Sequence, residues 1–218
     1  MTVDQPKFRR MGEERRRDDL IAAALDLMAE GGPESATVRA IAARAGATPG
    51  LIRYYFSTKD DLWRAAYRTH MTRLTEQCRA AIPAVPSSPG ARLTAFVVAS
   101  LSPPVTDGAA LRLWAGFIGM AQKNPAMNEI HETTYLLYRD ALQELIAALP
   151  RRRDTARLRT LAIACNGVLD GLWLEGCALP DKFADGELAR IGVESMGAIL
   201  GEDLLCHLAP DAADPHPA

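Results

Sequence analysis

Apolar residues recur at every third or fourth position along most of the chain, which is the spacing of amphipathic helices. The sustained alternation of apolar and polar residues that marks a half-buried strand does not occur. Glycine, proline and capping residues divide the helical pattern into separate segments. We therefore expect an all-α protein whose helices cover approximately residues 12–30, 38–45, 49–55, 58–82, 91–99, 109–122, 126–149, 154–177 and 185–208.

The second and third of these helices are short and are joined by a tight turn. Thr37 and Thr48 are favourable N-cap residues, and Pro49 stands at the first helical position, where its missing N–H group leaves no hydrogen bond unmade. Gly46 closes the second helix, because glycine adopts the left-handed conformation common at helix C-termini. A compact helix–turn–helix segment of about 20 residues is predicted here.

Composition and charge restrict the class of protein. The 218 residues are 48% apolar and 24% charged, which excludes a disordered chain, and the longest apolar run, residues 93–101, is too short to span a bilayer. Four cysteines without a CxxC spacing and four scattered histidines argue against a zinc site or a disulfide framework. We expect a soluble, cytoplasmic protein without a metal or cofactor and without a membrane partner.

The charge is distributed unevenly along the chain. Residues 1–73 contain 13 Lys and Arg against 10 Asp and Glu, whereas residues 74–218 contain 12 against 17. A basic first third and an acidic remainder indicate that the first third meets a polyanion.

Two short helices around a tight turn fit either an ordinary helical hairpin or a DNA-binding helix-turn-helix. A helix that enters the major groove needs small residues at its tip, followed by side chains that hydrogen-bond to bases or phosphates. Thr48-Pro49-Gly50 supplies the tip, and Arg53, Tyr54 and Tyr55 supply the donors. The residue types therefore favour DNA binding.

Residues 37–62, TVRAIAARAGATPGLIRYYFSTKDDL, resemble the helix-turn-helix of the TetR family of transcriptional repressors, and the similarity covers approximately residues 12–67. The resemblance implies a repressor rather than an enzyme, with an N-terminal three-helix DNA-binding unit and a larger C-terminal helical domain for ligand binding and dimerisation. A fourth helix opens at Thr58, with Asp61 in a capping-box position. We expect a DNA-binding domain over residues 1–57, a ligand-binding and dimerisation domain over 58–209, and a frayed tail over 210–218.

The resemblance also implies roles for individual residues on double-stranded operator DNA. Tyr55 and Lys59 would bind phosphates, Thr37 would contact the backbone, and residues 48–54 would contact bases. Many members have an aromatic residue at the position of Arg53, which leaves open whether Arg53 contacts a guanine or a phosphate. Ile52 and Phe56 are expected in the core. The DNA-binding candidates are Thr37, Arg39, Thr48, Pro49, Gly50, Arg53, Tyr54, Tyr55 and Lys59.

Five arginines precede or open the first helix: Arg9, Arg10, Arg15, Arg16 and Arg17. Such a run is compatible with a solvated helix face. It is equally compatible with a DNA-facing arm that adds sequence-independent affinity by releasing counterions.

The second half of the chain contains aromatic and polar residues at helical spacings. An aspartate in an apolar helix is costly to bury without a partner, which could be a bound cation or an arginine such as Arg112 or Arg139. Aromatic rings bind quaternary ammonium groups through their faces, but aromatic stripes also occur in ordinary cores. The ligand-binding candidates are Trp114, Phe117, Tyr135, Tyr138, Asn166, Asp170, Trp173 and Glu175.

Three segments, at residues 114–117, 135–149 and 170–175, resemble the choline-responsive repressors of glycine betaine synthesis within the same family. The resemblance implies a small-molecule inducer, with a choline-like cation as one option and an unrelated hydrophobic or cationic ligand as another. Two other classes remain open at this point: a small helical enzyme using Asp170, Glu175 or a histidine, and a helical scaffold without a ligand.

A homodimer through the last two helices is expected, because a single short DNA-contacting helix needs a symmetry-related copy to gain affinity. Glycines at 167, 171, 176 and 192 would allow close helix approach. The apolar residues predicted to form a four-helix bundle with their symmetry mates are Leu158, Leu161, Ala162, Cys165, Leu188, Ile191, Met196, Ile199 and Leu200.

Overall fold

The computed structural model describes residues 5–83 and 87–208, with side chains from Gly12 onward. Throughout these residues the regular structure is helical, as the sequence predicts. The helices are α1 (Gln5–Gly31), α2 (Val38–Arg44), α3 (Pro49–Tyr55), α4 (Lys59–Ala80), α5 (Pro89–Ser100), α6 (Gly108–Ala121), α7 (Pro125–Ala147), α8 (Thr155–Ala178) and α9 (Glu187–Leu200), with 3-10 turns at Pro180–Lys182 and Leu205–His207. The tail predicted over 210–218 and the side chains of Arg9 and Arg10 lie outside the described residues.

The chain divides into two compact units. Unit 1 comprises Met1–Arg73 and Gly108–Tyr135, and unit 2 comprises Leu74–Asp107 and Leu136–Ala218. The domain boundary expected from the sequence, between residues 57 and 58, falls inside unit 1 and stays a prediction.

Unit 1 is built around a core to which all three N-terminal helices contribute. Leu20, Ile21 and Ala24 of α1 are at most 1% exposed, and their spacing places them on one face of that helix. Helices α2 and α3 add few apolar side chains each, because each has only seven residues. Helices this short are unstable alone, so their stability comes from this shared core. Its other buried members include Ile41, Ile52, Phe56, Leu62, Trp63, Tyr67, Leu113 and Phe117.

The predicted caps of the short helices are confirmed. The Thr37 hydroxyl accepts a hydrogen bond from the Ala40 N–H at 3.1 Å, and the Thr48 hydroxyl accepts one from the Leu51 N–H at 3.3 Å. Gly46 has a φ of +59°, in the left-handed region. These local interactions fix where α2 ends and where α3 begins.

The capping box at the start of α4 is also confirmed. The Thr58 N–H donates to the Asp61 carboxylate at 2.8 Å, and the Asp61 N–H donates to the Thr58 hydroxyl at 3.1 Å. The Thr58 hydroxyl donates to the same carboxylate, and these hydrogen bonds hold the pKa of Asp61 below its usual value. α3 and α4 are therefore joined by a short, well-defined connection.

Unit 2 packs α5, α8 and α9 closely together. A Cβ on Gly192 of α9 would lie 2.3 Å from a methyl carbon of Leu101, so a larger residue there would require the Leu101 side chain to move. The most deeply buried residues of this core include Leu93, Phe96, Val97, Leu142, Ile146, Ala162, Cys165, Val193 and Met196.

The prediction of which residues pack against a dimer partner is mostly wrong. Six of them are buried inside unit 2 and are at most 8% exposed, namely Leu161, Ala162, Cys165, Leu188, Met196 and Leu200. The reason is that α8 is apolar on two faces, and periodicity alone does not say which face is internal. Its exposed apolar stripe follows Ile163, Gly167, Gly171 and Leu174 instead.

The last helix is shorter than predicted. α9 ends at Leu200 rather than near Leu208, because Gly201 adopts a left-handed φ of +69° and the Glu202 N–H turns back to the Gly197 carbonyl at 3.0 Å. The chain then places Leu204 in the core at 1% exposure. The apolar residues that follow Gly201 continue the helical spacing, so the sequence pattern does not show that the helix ends at this glycine. Smaller differences occur in α1, which begins by Gln5, and α4, which ends at Ala80.

α8 is also long and apolar enough to cross a bilayer by length and composition. One such helix is a weak indication, because core helices of soluble proteins meet the same criterion.

Candidate functional site

The α3 helix separates its residues into a buried and an exposed face. Ile52 is 3% exposed and Phe56, at its C-terminal end, is 4% exposed, which confirms both as core residues. Tyr54 is 70% exposed, and Arg53 is exposed beside it. An exposed tyrosine and arginine on a firmly anchored short helix form a surface suited to a nucleic acid rather than to a protein core.

The nine DNA-binding candidates all belong to unit 1 and occupy α2, α3, their caps and the first residue of α4. All are exposed except Tyr55, which is half-buried. The Tyr54 and Tyr55 rings meet edge to face, with centroids 5.0 Å apart. The caps use the Thr37 and Thr48 oxygens as acceptors, so each hydroxyl hydrogen remains able to donate to a phosphate. The DNA roles of these residues stay predictions.

The positive groups on this surface have different surroundings. In the part of the chain that the structure describes, neither Arg39 nor Arg53 forms an ion pair. The Lys59 ammonium lies 5.7 Å from the centre of the Trp63 ring, which restricts its position without neutralising it. Arg44, by contrast, binds Glu30 with two hydrogen bonds of 2.9 and 2.7 Å. Arg39, Arg53 and Lys59 are therefore the cations available to phosphates or bases.

Two family models match the chain. One, for bacterial regulatory proteins of the tetR family, matches residues 20–66. The other, for the C-terminal part of BetI-type transcriptional repressors, matches residues 89–201, more than half of the chain. The chain belongs to the TetR family of transcriptional regulators. Its C-terminal region is of the BetI type, and its relatives are regulators rather than enzymes.

Individual relatives agree with this assignment. The BetI regulator of Serratia proteamaculans is 32% identical over 161 residues, covering 73% of this chain and 79% of the relative. The BetI regulator of Paraburkholderia phymatum is 29% identical over 188 residues, covering 86% and 94%.

Solved structures give the same fold. A Pseudomonas aeruginosa transcriptional regulator has a TM-score of 0.75 at 30% identity, covering 89% of this chain and 95% of its own. A Saccharomonospora viridis regulator solved in complex with choline has a TM-score of 0.70 at 17% identity, covering 87% and 97%. At that identity the second structure supports the similarity of fold alone.

Three of the ligand-binding candidates belong to unit 1. Phe117 is fully buried and stacks on Tyr67, with ring centroids 4.3 Å apart, so its faces are occupied by the core. The Tyr135 ring lies 5.6 Å from that of His131. Trp114 is 37% exposed on α6.

No pattern in the sequence predicts the polar contact at the centre of this aromatic group. The Tyr67 hydroxyl and Nδ1 of His131 lie 2.6 Å apart although they are 64 positions apart in the chain. His70 adds a ring 6.2 Å from Phe117. Only the packing of α4, α6 and the start of α7 brings these residues together. Burial raises the pKa of Tyr67 to about 12 and lowers that of His131.

The other five candidates belong to unit 2, and two of the aromatic residues have internal hydrogen-bond partners. The Tyr138 hydroxyl donates to the Ser100 hydroxyl at 2.7 Å. The Trp173 indole N–H donates to the Val105 carbonyl at 2.7 Å. These bonds use the edges of the rings and fix the ring orientations, while cation–π contacts would use the faces.

Asp170 is not buried, so the prediction that burial forces it to have a partner is wrong. Asp170 is exposed in the single chain, as is Glu175, so the carboxylate carries no large desolvation penalty. Its hydrogen-bond partner is Asn166, one turn earlier on α8, whose amide donates to it at 2.9 Å. Arg112 instead donates to the Ala29 carbonyl in unit 1. Among the described residues, no cluster of three or more His, Cys, Asp or Glu side chains could hold a metal.

The half-buried side chain of His70 leads us to predict a specific dependence of stability on pH. Burial lowers the pKa of His70 from 6.5 to about 4, and the charge of Arg73 adds to the shift. Between these values the unfolded chain binds a proton that the folded chain does not, so stability present above pH 6.5 is lost as the pH falls toward 4. The lost free energy of unfolding amounts to at most about 1.4 kcal/mol per pH unit.

Urea unfolding of the wild type and of His70→Gln between pH 6.5 and 4.5 measures this contribution. The carboxylates of the chain contribute to the pH dependence of stability in both proteins. The difference between the two slopes of unfolding free energy against pH therefore isolates the contribution of His70. We expect the flatter slope in His70→Gln, and identical slopes would contradict the burial argument.

Proposed function

We propose that this TetR-family regulator is a cytoplasmic repressor that binds a two-fold symmetric operator as a homodimer and leaves it when a small ligand binds. The proposal that the protein binds DNA rests on α3, which has one buried and one exposed face. Ile52 and Phe56 are anchored in the core, while Arg53 and Tyr54 are exposed. A helix held in this way presents its polar face to the major groove without losing its position.

The candidates divide into two chemical roles. Arg53 and Tyr54 lie on the exposed face of α3 and contact bases, where arginine binds guanine through two hydrogen bonds. Tyr55 and Lys59 contact phosphates on either side of that helix, and Thr37 donates its hydroxyl to the backbone at the start of α2. Arg15, Arg16 and Arg17 are exposed on α1 and add attraction that does not depend on sequence.

The dimer forms through the exposed stripe of α8 defined by Ile163, Gly167, Gly171 and Leu174. Ile163 and Leu174 are 40% and 44% exposed, and their spacing places them on one face of α8, so they belong to one patch rather than being scattered singly. A Cβ at Gly167 or Gly171 would contact nothing within 4 Å, so these glycines leave space for a second helix to approach. The two-fold axis places two copies of α3 on one face of the DNA.

The ligand is a small organic cation bound by aromatic residues of the C-terminal region. Support comes from the BetI type of residues 89–201, and Trp173 in this region is half-buried rather than enclosed in the core. Release of DNA follows if the ligand binds more tightly to a dimer whose two α3 helices are wrongly spaced for the operator. An unrelated hydrophobic ligand is the alternative.

The DNA assignment is tested with Arg53→Gln and Lys59→Gln on an operator selected from random duplexes. Arg53→Gln should weaken operator binding by about 5- to 150-fold and relax the preference for one base pair, because a bidentate contact to a base contributes roughly 1–3 kcal/mol. Lys59→Gln should weaken all duplexes about equally and lower the salt slope by about 1. Fluorescence anisotropy at several salt concentrations measures both effects.

Arg44→Gln is the matched control, because it removes the same charge from an arginine that Glu30 already neutralises. The roles would be contradicted if Arg53→Gln kept the wild-type base preference, or if Lys59→Gln affected operator and unrelated duplexes to different extents.

The dimer surface is tested with Gly167→Arg. The substitution leaves the protomer intact because the side chain starts in open space, but it places a charge in the centre of the interface of each protomer. We expect the dimer dissociation constant to rise about 100-fold or more, as unpaired buried charges cost roughly 3–5 kcal/mol. Gly119→Arg on α6, where a Cβ also meets nothing within 4 Å, is the control. Dimer stability is measured by analytical ultracentrifugation. If the Gly167→Arg dimer were as stable as the control dimer, the exposed stripe of α8 would not be the dimer interface.

The ligand is tested by calorimetry with choline and its neutral analogue, in which carbon replaces the nitrogen. The two compounds have the same shape and differ only in charge. Choline should therefore bind about 5- to 150-fold more tightly than its neutral analogue if cation–π contacts and a nearby carboxylate supply roughly 1–3 kcal/mol. Trp173→Phe keeps an aromatic face and Trp173→Leu removes it, while both lose the hydrogen bond to Val105. Greater loss of choline binding in Trp173→Leu is expected, and equal affinity for the two compounds would exclude a cation site.

A further inference from the structure

A basic cleft of about 460 Å³ lies within unit 1, on the side of Tyr55 that faces α1 and α4. Three arginines from two helices line it: Arg17 from α1, and Arg64 and Arg68 from successive turns of α4. Tyr55, Ser57 and Thr69 add hydroxyl groups, and the rest of the lining consists of Phe56, Asp61, Ala65 and Ile130. Its volume falls within the range of small-molecule sites.

The cleft has an excess of positive charge. Asp61, the acidic residue of the lining, is engaged by the Thr58 backbone and hydroxyl and by the Arg64 guanidinium. Arg64 is therefore neutralised. Neither Arg17 nor Arg68 has an ion-pair partner among the described residues, so the cleft carries two uncompensated guanidinium groups.

The position of Arg17 is restricted by an aromatic contact. Its guanidinium carbon lies 5.1 Å from the centre of the Phe56 ring, and Phe56 is fixed in the core at 4% exposure. An arginine held over a ring has lost part of its conformational freedom before it binds anything. The cleft is therefore partly preorganised for an anion.

We propose that this cleft binds a phosphate group. Guanidinium groups match the oxygens of a phosphate by paired hydrogen bonds, and hydroxyl donors satisfy the remaining oxygens. The Asp61 carboxylate does not oppose binding, because its hydrogen bonds and ion pair are already made.

The phosphate has two sources with the same chemistry: the backbone of bound DNA, or a free phosphorylated molecule. Tyr55 connects the cleft with the first source, because it lines the cleft and is a candidate phosphate contact of the operator surface. Binding of a DNA phosphate in the cleft rests on the proposed function, whereas binding of a free phosphorylated molecule does not.

The test uses the full-length protein and the variant Arg17→Gln/Arg68→Gln, with Arg68→Gln alone as the second variant if the double substitution unfolds. Arg92→Gln is the matched control, because Arg92 is exposed on α5 outside the cleft. Pyrophosphate is titrated calorimetrically at low salt, and the affinity for a random duplex is measured as a function of salt.

If the phosphate is free, pyrophosphate binds the wild type and Arg92→Gln, and the cleft variants lose about tenfold or more in affinity. If it belongs to DNA, pyrophosphate does not bind, and Arg68→Gln alone lowers the salt slope by about 1 relative to Arg92→Gln. Arg68→Gln decides this arm, because Arg17 also belongs to the exposed arginines of α1 that attract any duplex. Cleft variants that match Arg92→Gln in both assays would overturn the proposal. A wild type that binds pyrophosphate but no DNA would refute the proposed function and leave the cleft assignment standing.

Discussion

The packing of Ile52 and Phe56 is the constraint on which the N-terminal part of the molecule depends. α3 has seven residues, too few to be stable alone, so these side chains must hold it against the core formed with α1, α2 and α4. Because one face of the helix is buried, Arg53 and Tyr54 necessarily lie on the other face. The orientation of the DNA-contacting surface is thus a consequence of core packing.

The same anchoring organises the charges around α3. Phe56 supplies the ring beneath Arg17, and Trp63, also buried, supplies the ring beneath Lys59. Asp61 caps α4 and at the same time neutralises Arg64. Core residues therefore restrict the basic side chains, and an acidic residue with a structural role decides which arginine remains available for an anion.

The sequence predicted best those features that depend on local interactions. The caps at Thr37 and Thr48 and the capping box at Thr58 involve residues three positions apart, so their chemistry is visible in the chain. The core positions of Ile52 and Phe56 follow from the need of a compact three-helix unit for apolar side chains that close it.

Features that depend on packing between distant segments were missed or assigned incorrectly. Periodicity predicts that α8 is apolar but not which face is internal. It therefore predicts Leu161 and Cys165 on a dimer surface and Asp170 on a buried one, whereas the first two are buried and Asp170 is exposed. The Tyr67–His131 contact and the arginine cleft join different helices and have no signature in the sequence. The end of α9 at Gly201 was concealed because apolar residues continue the helical spacing beyond it.

Sequence-specific binding by a symmetric dimer is tested most directly by selecting the duplexes that the purified protein binds from a pool of random sequence and sequencing the bound fraction. We expect enrichment of a two-fold symmetric sequence whose half-site centres lie about 10 base pairs, or a multiple of that distance, apart. An asymmetric single site, or binding without any enriched sequence, would contradict a dimer that contacts bases through two anchored copies of α3.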